Sequence, residues 1–194
     1  MPVESSFQMV PADRGTFLIS SPRLMDENFM HTVILLCDHS QEGSYGVVVN
    51  RPGTLTVADL HSDSELLSER SDALWLGGPV QLETVQLLHR IGPHIPGSVP
   101  IVENVHLGGD PTVIHQLLQD RTESRELLRF ILGYSGWGEG QLDAELREGA
   151  WVVCPATEEL IFDTRPESLW RRALRSLGGG WAALADEPPD PSWN

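Results

Sequence analysis

The chain has 194 residues, of which 40% are hydrophobic and 21% charged, a composition typical of a globular protein with one well-buried core. Its formal net charge is −15, and all 13 basic side chains are arginines. A negative field repels the phosphates that supply most of the affinity for duplex DNA, and it also repels anionic lipid headgroups. The composition therefore disfavours unaided DNA binding and binding to a membrane surface.

Targeting and redox signals point to the cytosol. The first residues lack a basic region followed by an apolar one, and no apolar run approaches the roughly 18 residues that a membrane span needs. Cys37 and Cys154 end two separate apolar runs, without the spacing of a redox or metal motif. We expect a cytoplasmic protein in which both cysteines are small buried hydrophobic residues, with a reactive thiol as the alternative.

The chain divides into one domain and two short ends. We predict a single domain over residues 15–180, after a flexible N-terminus at 1–14. Residues 181–194 include the acidic, proline-rich sequence DEPPDPSWN, which has little apolar surface to bury. We expect this segment to be a mobile tail.

Short apolar runs separated by turn residues predict most of the strands. The second and third runs flank a polar loop and indicate a hairpin, and the third stops at Asn50, Arg51 and Pro52. Another run leads directly into Gly77. Besides that run, the predicted strands are 16–20, 32–37 and 45–49, which are the first three runs, and 85–89, 99–105, 130–132, 150–153 and 160–162.

Helices are predicted at three places between these strands. One or two short helices are expected within 56–69. Asp110 as an N-cap and Pro111 in the first turn predict a helix to about residue 119. An amphipathic pattern predicts a helix over 166–177, stopped by the glycines at 178–180. This irregular order of strands and helices indicates an α+β fold with a mixed sheet.

The sequence LRFILGYSGWGEGQLDAEL, residues 128–146, is the most distinctive stretch. Gly133 and Gly136 are expected to end the apolar strand, because glycine gives the backbone freedom that other residues lack. A helical pattern restarts at Gln141. We therefore predict an abrupt strand-to-helix corner that displays Tyr134, Ser135 and Trp137.

The GYSGW corner invites comparison with the G-x-S-x-G nucleophile elbow of α/β-hydrolases. Trp137 replaces the final glycine, and that fold needs a histidine after the serine, whereas the last histidine here is His115. These departures exclude the α/β-hydrolase reading. A triad that uses an earlier histidine, such as His39 or His89, stays open because triads are defined by spatial geometry.

Motifs for a metal, a cofactor or a phosphate are missing. The seven histidines form no HExxH pattern and no cluster with cysteine, so no metal site is predicted. The paired glycines 77–78 and 108–109 are followed by Pro79 and Asp110, a residue without an N–H donor and an anion. We interpret both pairs as close-packing turns, with anion binding as the alternative, and predict no cofactor.

Two arginine clusters could form local basic patches. One is Arg121, Arg125 and Arg129, and the other is at residues 171, 172 and 175. Because glutamates lie among them, we interpret both as solvated faces with local ion pairs. Arg51, next to Asn50, is read as a surface arginine in a turn, although the two side chains could also orient a ligand carboxylate.

The motifs NRP at 50–52, GGPV at 77–80 and GYSGWGEGQL at 133–142, in this order, resemble the bacterial AlgH or YqgE family. The resemblance implies a single domain with a mixed, bifurcated sheet bent into a pseudo-barrel with flanking helices. It also implies a cytosolic protein of unsettled activity, and the family label "transcriptional regulator" comes without a DNA-binding module. No catalytic role is transferable. The candidate binding residues are Asn50, Arg51, Pro52, Gly77, Gly78, Pro79, Tyr134, Ser135, Gly136, Trp137 and Gln141.

The preferred functional hypothesis is a non-enzymatic regulatory or adaptor protein. It would bind another protein or a small ligand through the glycine-rich corner, because exposed aromatic residues often anchor interfaces. Two alternatives stay open: a transcriptional regulator that contacts DNA directly, and an enzyme with an unfamiliar site.

Overall fold

A computed structural model describes residues 10–60, 70–91, 95–119 and 127–185, with the backbone alone for 117–119. Across these ranges the strands are β1 (Thr16–Ser20), β2 (Val33–Ser40), β3 (Gly43–Val48), β4 (Pro52–Thr56), β5 (Ala73–Leu76), β6 (Val80–His89), β7 (Ser98–Val102), β8 (Val105–Gly108), β9 (Leu128–Trp137) and β10 (Trp151–Pro155). The helices are α1 (Pro111–Gln119), α2 (Gln141–Arg147), α3 (Glu158–Ile161), α4 (Pro166–Leu177) and α5 (Gly179–Ala185), with a 3-10 turn at Val57–Leu60.

The ten described strands form one open sheet. Its main path runs β10-β1-β2-β3-β9-β6-β8-β7, while β4 joins through β5. The β5–β9 pair is parallel and the other pairs are antiparallel, so the sheet is mixed as predicted. The two ends of the path, β10 and β7, do not pair with each other within the described ranges. The α+β class is confirmed, and closure into a pseudo-barrel stays a prediction.

Strand β9 is where the sheet divides. One of its edges pairs with β6. On the other edge, β5 pairs with Phe130–Leu132 and β3 pairs with Ser135–Trp137. A single strand therefore supports two neighbours in succession, and we call the point between them the fork.

Three apolar clusters fill the space around the sheet. The largest lies between the sheet and helix α4, and it includes Ile131 and Trp170. The second lies on the opposite face of the β1–β2–β3 region under α2, around Trp137 and Trp151. The third lies under α1, around Leu74 and Phe130. Cys37 and Cys154 are buried in the first cluster, and burial raises the pKa of each thiol to about 12, so both are the hydrophobic residues that the sequence predicted.

Helices with clear start signals follow the prediction. Helix α4 has the predicted bounds and begins with Pro166, and α1 begins at Pro111. The Asp110 carboxylate caps α1 by accepting the backbone N–H of Thr112 at 2.8 Å.

Other predicted elements were wrong. The predicted strand at 160–162 is helix α3, because the Thr157 hydroxyl caps it by accepting the Leu160 N–H. The predicted strand at 99–105 is the hairpin of β7 and β8. The third strand stops before Asn50 as predicted, but the sequence missed β4, an edge strand that begins at Pro52 and tolerates its missing N–H.

The predicted domain limits also shift. Val10 donates its N–H to the Val153 carbonyl, so residues 10–14 belong to the folded body. Gly178 ends α4 as predicted, but a further helix, α5, begins at Gly179 and crosses the predicted domain boundary at 180. Of the helices predicted at 56–69, only the 3-10 turn lies in the described part, and residues 61–69, like 1–9 and 186–194, lie outside it.

Candidate functional site

The three sequence motifs meet at the fork. The Gly77 carbonyl accepts the N–H of Val48 at 2.9 Å and the hydroxyl of Ser135 at 3.0 Å. The Gly77 N–H donates to Leu132, and the Arg51 carbonyl accepts the N–H of Leu76. These bonds fill the gap in pairing where β9 changes partner from β5 to β3. The motifs therefore build the sheet junction.

Gly77 and Gly78 are close-packing residues, as predicted. A Cβ on Gly77 would lie 2.4 Å from Cγ2 of Ile131, and one on Gly78 would lie 2.3 Å from the Tyr134 carbonyl oxygen. No side chain fits in either space. Pro79 follows them at the exposed start of β6.

Asn50 and Arg51 hold the loop between β1 and β2. The buried Asn50 amide accepts the Val33 N–H at 2.8 Å and donates to the His31 carbonyl at 2.9 Å. The Arg51 guanidinium donates to three loop carbonyls, of which Asn28 at 2.6 Å is the nearest. Burial lowers the pKa of Arg51. Both side chains therefore bind the chain itself rather than an external carboxylate.

The predicted corner at Gly133 and Gly136 was wrong. Strand β9 runs through both glycines to Trp137, and the chain turns only at 138–140. Consequently Ser135 is fully buried and Trp137 is 6% exposed, whereas we expected the corner to display them. Tyr134 is half-buried against Tyr45, with 5.0 Å between ring centres. Of the other candidate binding residues in this stretch, Gly136 and Gln141 are exposed.

Trp137 belongs to a hydrogen-bonded aromatic cluster. The Oε2 atom of Glu145 accepts both the Trp137 indole N–H at 2.9 Å and the Trp151 indole N–H at 2.7 Å. Its Oε1 atom accepts the Gln141 amide at 2.9 Å. The Phe29 ring stacks on the Trp137 ring, with 6.4 Å between ring centres, and meets the Trp151 ring edge-on, with 5.7 Å between ring centres. We call these five residues the Glu145 cluster, and it fixes α2 to the sheet.

Arg129 is buried, which the solvated-face interpretation did not predict. Its guanidinium donates to the carbonyls of Val49 at 2.8 Å and Asp163 at 2.9 Å, and lies 3.7 Å from the centre of the Trp75 ring. Burial lowers the pKa of Arg129 to about 9. Of the other arginines in the two patterns, Arg172 pairs with Asp163, and residues 121 and 125 lie outside the described part.

The histidines have no common role. Among the described residues, no group of three or more His, Cys, Asp or Glu side chains could hold a metal ion. His89 and His106 stack with ring centres 5.6 Å apart; Nε2 of His89 lies 3.1 Å from the Gly108 carbonyl oxygen, and its buried Nδ1 has no partner in the described part of the chain. His39 contacts Ser44 and Asp143. His61 and His94 lie outside the described residues.

A cavity of about 470 Å³ opens at the C-terminal end of α2. Its apolar walls come from Leu24, Ala150, Trp181 and Leu184, and its charged groups come from Arg23 and Glu148. The rest of the lining is Ser21 and Gly149.

Three polar groups of this cavity have no partner in the described part of the chain: the guanidinium of Arg23, the carboxylate of Glu148 and the indole N–H of Trp181. Arg23 and Glu148 are exposed and Trp181 is half-buried. The cavity therefore offers two donors, one acceptor and an apolar wall to a ligand. This is the composition usual for small-molecule sites.

Comparison with known proteins identifies the family. The family model described as AlgH-like matches residues 17–182. The chain belongs to the AlgH-like family. A UPF0301 protein of Chlorobium limicola is 39% identical to it over 180 residues, which cover 93% of this chain and 95% of that relative.

Two solved structures share the AlgH-like fold. The solution structure of the AlgH protein of Pseudomonas aeruginosa has a TM-score of 0.70 and 29% identity, with 93% of this chain and 97% of that chain covered. The crystal structure of a protein of Corynebacterium diphtheriae has a TM-score of 0.73 over 95% of this chain and 97% of that chain. At 19% identity, this second likeness shows the fold alone.

Sequence reasoning missed the residues of the cavity beside α5. Arg23, Glu148 and Trp181 come from three segments that are far apart along the chain and carry no common motif. We had also assigned Trp181 to a mobile tail. The local signal is the short apolar run WAAL of α5, in which Trp181 and Leu184 are three residues apart and both line the cavity.

Proposed function

We propose that this protein is a cytosolic regulatory or adaptor protein that binds a small amphipathic ligand in the cavity beside α5. The observation that carries this proposal is the set of three unpartnered polar groups on the apolar wall of that cavity. Among the described residues these groups meet no protein partner, and all three line one concave surface. A group left without one at a concave surface is available to a ligand.

The lining defines the chemistry of the ligand. Leu24, Trp181 and Leu184 favour an apolar or aromatic body. Arg23 favours a carboxylate on that body, because an arginine fork accommodates a carboxylate with two parallel hydrogen bonds. The volume of about 470 Å³ lies within the range of drug-sized ligand sites. An aryl- or alkyl-carboxylic acid that also carries a hydrogen-bond donor for Glu148 meets the requirements of this lining.

Direct contact with DNA has weaker support. Arg129 is buried under Trp75, and Arg172 is paired with Asp163, so neither is free to neutralise a phosphate. The net charge of −15 opposes the same contact. The glycine-rich corner is also a weaker candidate than the cavity, because Ser135 and Trp137 are buried.

A panel of aryl and alkyl carboxylates, screened by ligand-detected NMR, tests the proposal. We expect binders whose signals disappear with Leu184→Trp, which fills the cavity, and weaken roughly tenfold with Arg23→Gln. Arg165→Gln is the matched control, because Arg165 is also exposed and lies outside the cavity lining. Binding that is equal in the wild type and in Leu184→Trp would contradict the proposal.

A further inference from the structure

Three side chains with catalytic chemistry meet beside the start of α2. The Ser44 hydroxyl lies 2.7 Å from Nδ1 of His39. Nε2 of the same ring lies 3.7 Å from Oδ1 of Asp143. His39 is 19% exposed and Asp143 58%, so the arrangement opens to solvent on the Asp143 side. The His39 ring therefore lies between the Ser44 hydroxyl and the Asp143 carboxylate and contacts both.

The sheet and α2 bring these side chains together. His39 and Ser44 are opposite each other in the β2–β3 ladder, and Ser44 is opposite Trp137 in the β3–β9 ladder. Directly opposite residues present their side chains to the same face. On this face α2 packs over Trp137, fixed by the Glu145 cluster, and its first turn carries Asp143. The GYSGWGEGQL motif thus positions Asp143.

The contacts favour one tautomer of His39. A carboxylate near Nε2 stabilises the ring with its proton on Nε2, because the Nε2–H then points toward negative charge. Nδ1 is left with its lone pair and accepts the Ser44 hydroxyl. This is the proton arrangement in which a histidine acts as the general base for a serine.

We propose that Ser44, His39 and Asp143 form a hydrolytic site for activated, uncharged acyl esters. Ser44 Oγ bonds to the carbonyl carbon while its proton passes to Nδ1 of His39. The bond from that carbon to the leaving oxygen breaks, and the leaving group takes the proton from His39. Water then adds to the acyl-serine with His39 as base, the bond to Oγ breaks, and Ser44 recovers its proton. The net reaction consumes one ester and one water and yields one acid and one alcohol.

The limits of the site define the substrate class. A positioned general base accelerates a reaction by about 10²–10⁴-fold, which suffices for an ester with a good leaving group and not for an amide. Glu42 lies in the β2–β3 turn and Glu139 in the turn after Trp137, so the approach to Ser44 is acidic. An anionic ester is repelled there. We therefore expect turnover of a small neutral aryl ester.

The test uses 4-nitrophenyl acetate with the full chain. We expect Ser44→Ala and His39→Gln to reduce the hydrolysis rate at least tenfold, and Asp143→Asn to reduce it by roughly three- to tenfold. After an acid quench, mass spectrometry of the wild type should find the acetyl group on the peptide that contains Ser44. Circular dichroism verifies that each variant is folded.

Two controls separate this site from nonspecific reactivity and from the cavity. Ser40→Ala removes another hairpin hydroxyl, one that donates to the Gly43 carbonyl and accepts the Glu42 N–H, and it should leave the rate unchanged. Saturating the cavity with an aryl carboxylate that binds there should also leave the rate unchanged, since the cavity is a different site. The proposal is overturned if Ser44→Ala hydrolyses the ester at the wild-type rate, if Asp143→Asn has no effect, or if acetyl groups occur only on histidines.

Discussion

Two glutamates three residues apart, Glu145 and Glu148, belong to regions of opposite character. The Glu145 carboxylate accepts three side-chain hydrogen bonds, two of them from buried indoles. The Glu148 carboxylate lies at a cavity and has no partner among the described residues. The Glu145 cluster contains the most distinctive residues of the sequence and is structural, whereas the cavity beside Glu148 contains undistinguished residues and has free hydrogen-bonding capacity. A distinctive motif and an available polar group are therefore different signals.

The largest expected effect comes from the tryptophans of the two regions. Trp137→Ala should lower the free energy of unfolding by about 3–5 kcal/mol, because it removes a buried ring and leaves a cavity. Trp181→Ala, at a half-buried ring, should lower it by less than about 2 kcal/mol and should remove ligand binding. Urea denaturation measures both free energies of unfolding. Equal losses in the two variants would contradict the distinction between a structural cluster and a binding cavity.

The two glutamates give the next largest contrast. Glu145→Ala leaves the buried indole N–H groups of Trp137 and Trp151 without an acceptor, and each such group costs about 1–3 kcal/mol. We expect a loss of roughly 2–4 kcal/mol in the free energy of unfolding. Glu148→Ala is the matched control and should stay within about 0.5 kcal/mol of the wild type. A Glu148→Ala variant as unstable as Glu145→Ala would show that the carboxylate of Glu148 is not free.

His89 extends the comparison to the core: its Nε2 bonds to the Gly108 carbonyl, whereas its buried Nδ1 has no partner among the described residues. Burial, with a smaller contribution from His106, lowers the pKa of His89 below its ordinary 6.5. The unfolded chain therefore binds the proton more readily. The stability that depends on neutral His89 is present above pH 6.5 and is lost as the pH falls below that value.

Chemical denaturation of the wild type and of His89→Gln, at about pH 7.5 and about pH 5.5, measures this effect. The difference in free energy of unfolding between the two proteins should shift against the wild type at the lower pH. A difference that does not change with pH would mean that His89 is protonated equally in both states.

The parts of the fold that follow local rules were predictable from the sequence. Helix α4 has the predicted limits because an apolar stripe and a proline at its first position together specify a start and a face. The hairpin of β2 and β3 follows from two apolar runs around a polar turn. The close packing of Gly77 and Gly78 was also correct, since a proline directly after them excludes a phosphate loop.

The predictions were wrong where contacts between distant segments determine where a strand ends and which side chains meet. Gly133 suggested the end of a strand, yet β9 continues through it, and a Cβ there would lie 2.7 Å from the Gly78 carbonyl oxygen at the fork. Neither the division of β9 between β5 and β3 nor the cavity lined by Arg23, Glu148 and Trp181 is visible in one stretch of sequence. The predicted hairpin could have placed His39 opposite Ser44, but the position of Asp143 depends on how α2 packs.

Hydrogen exchange of the indole N–H groups, read by ¹⁵N NMR with and without an aryl carboxylate that binds the protein, tests the central claim most directly. Trp137 and Trp151 donate to Glu145, so their indole signals should exchange slowly and stay unchanged when the carboxylate is added. The Trp181 indole should exchange rapidly and shift on binding. Rapid exchange at Trp137, together with a ligand-induced shift there and none at Trp181, would contradict the account.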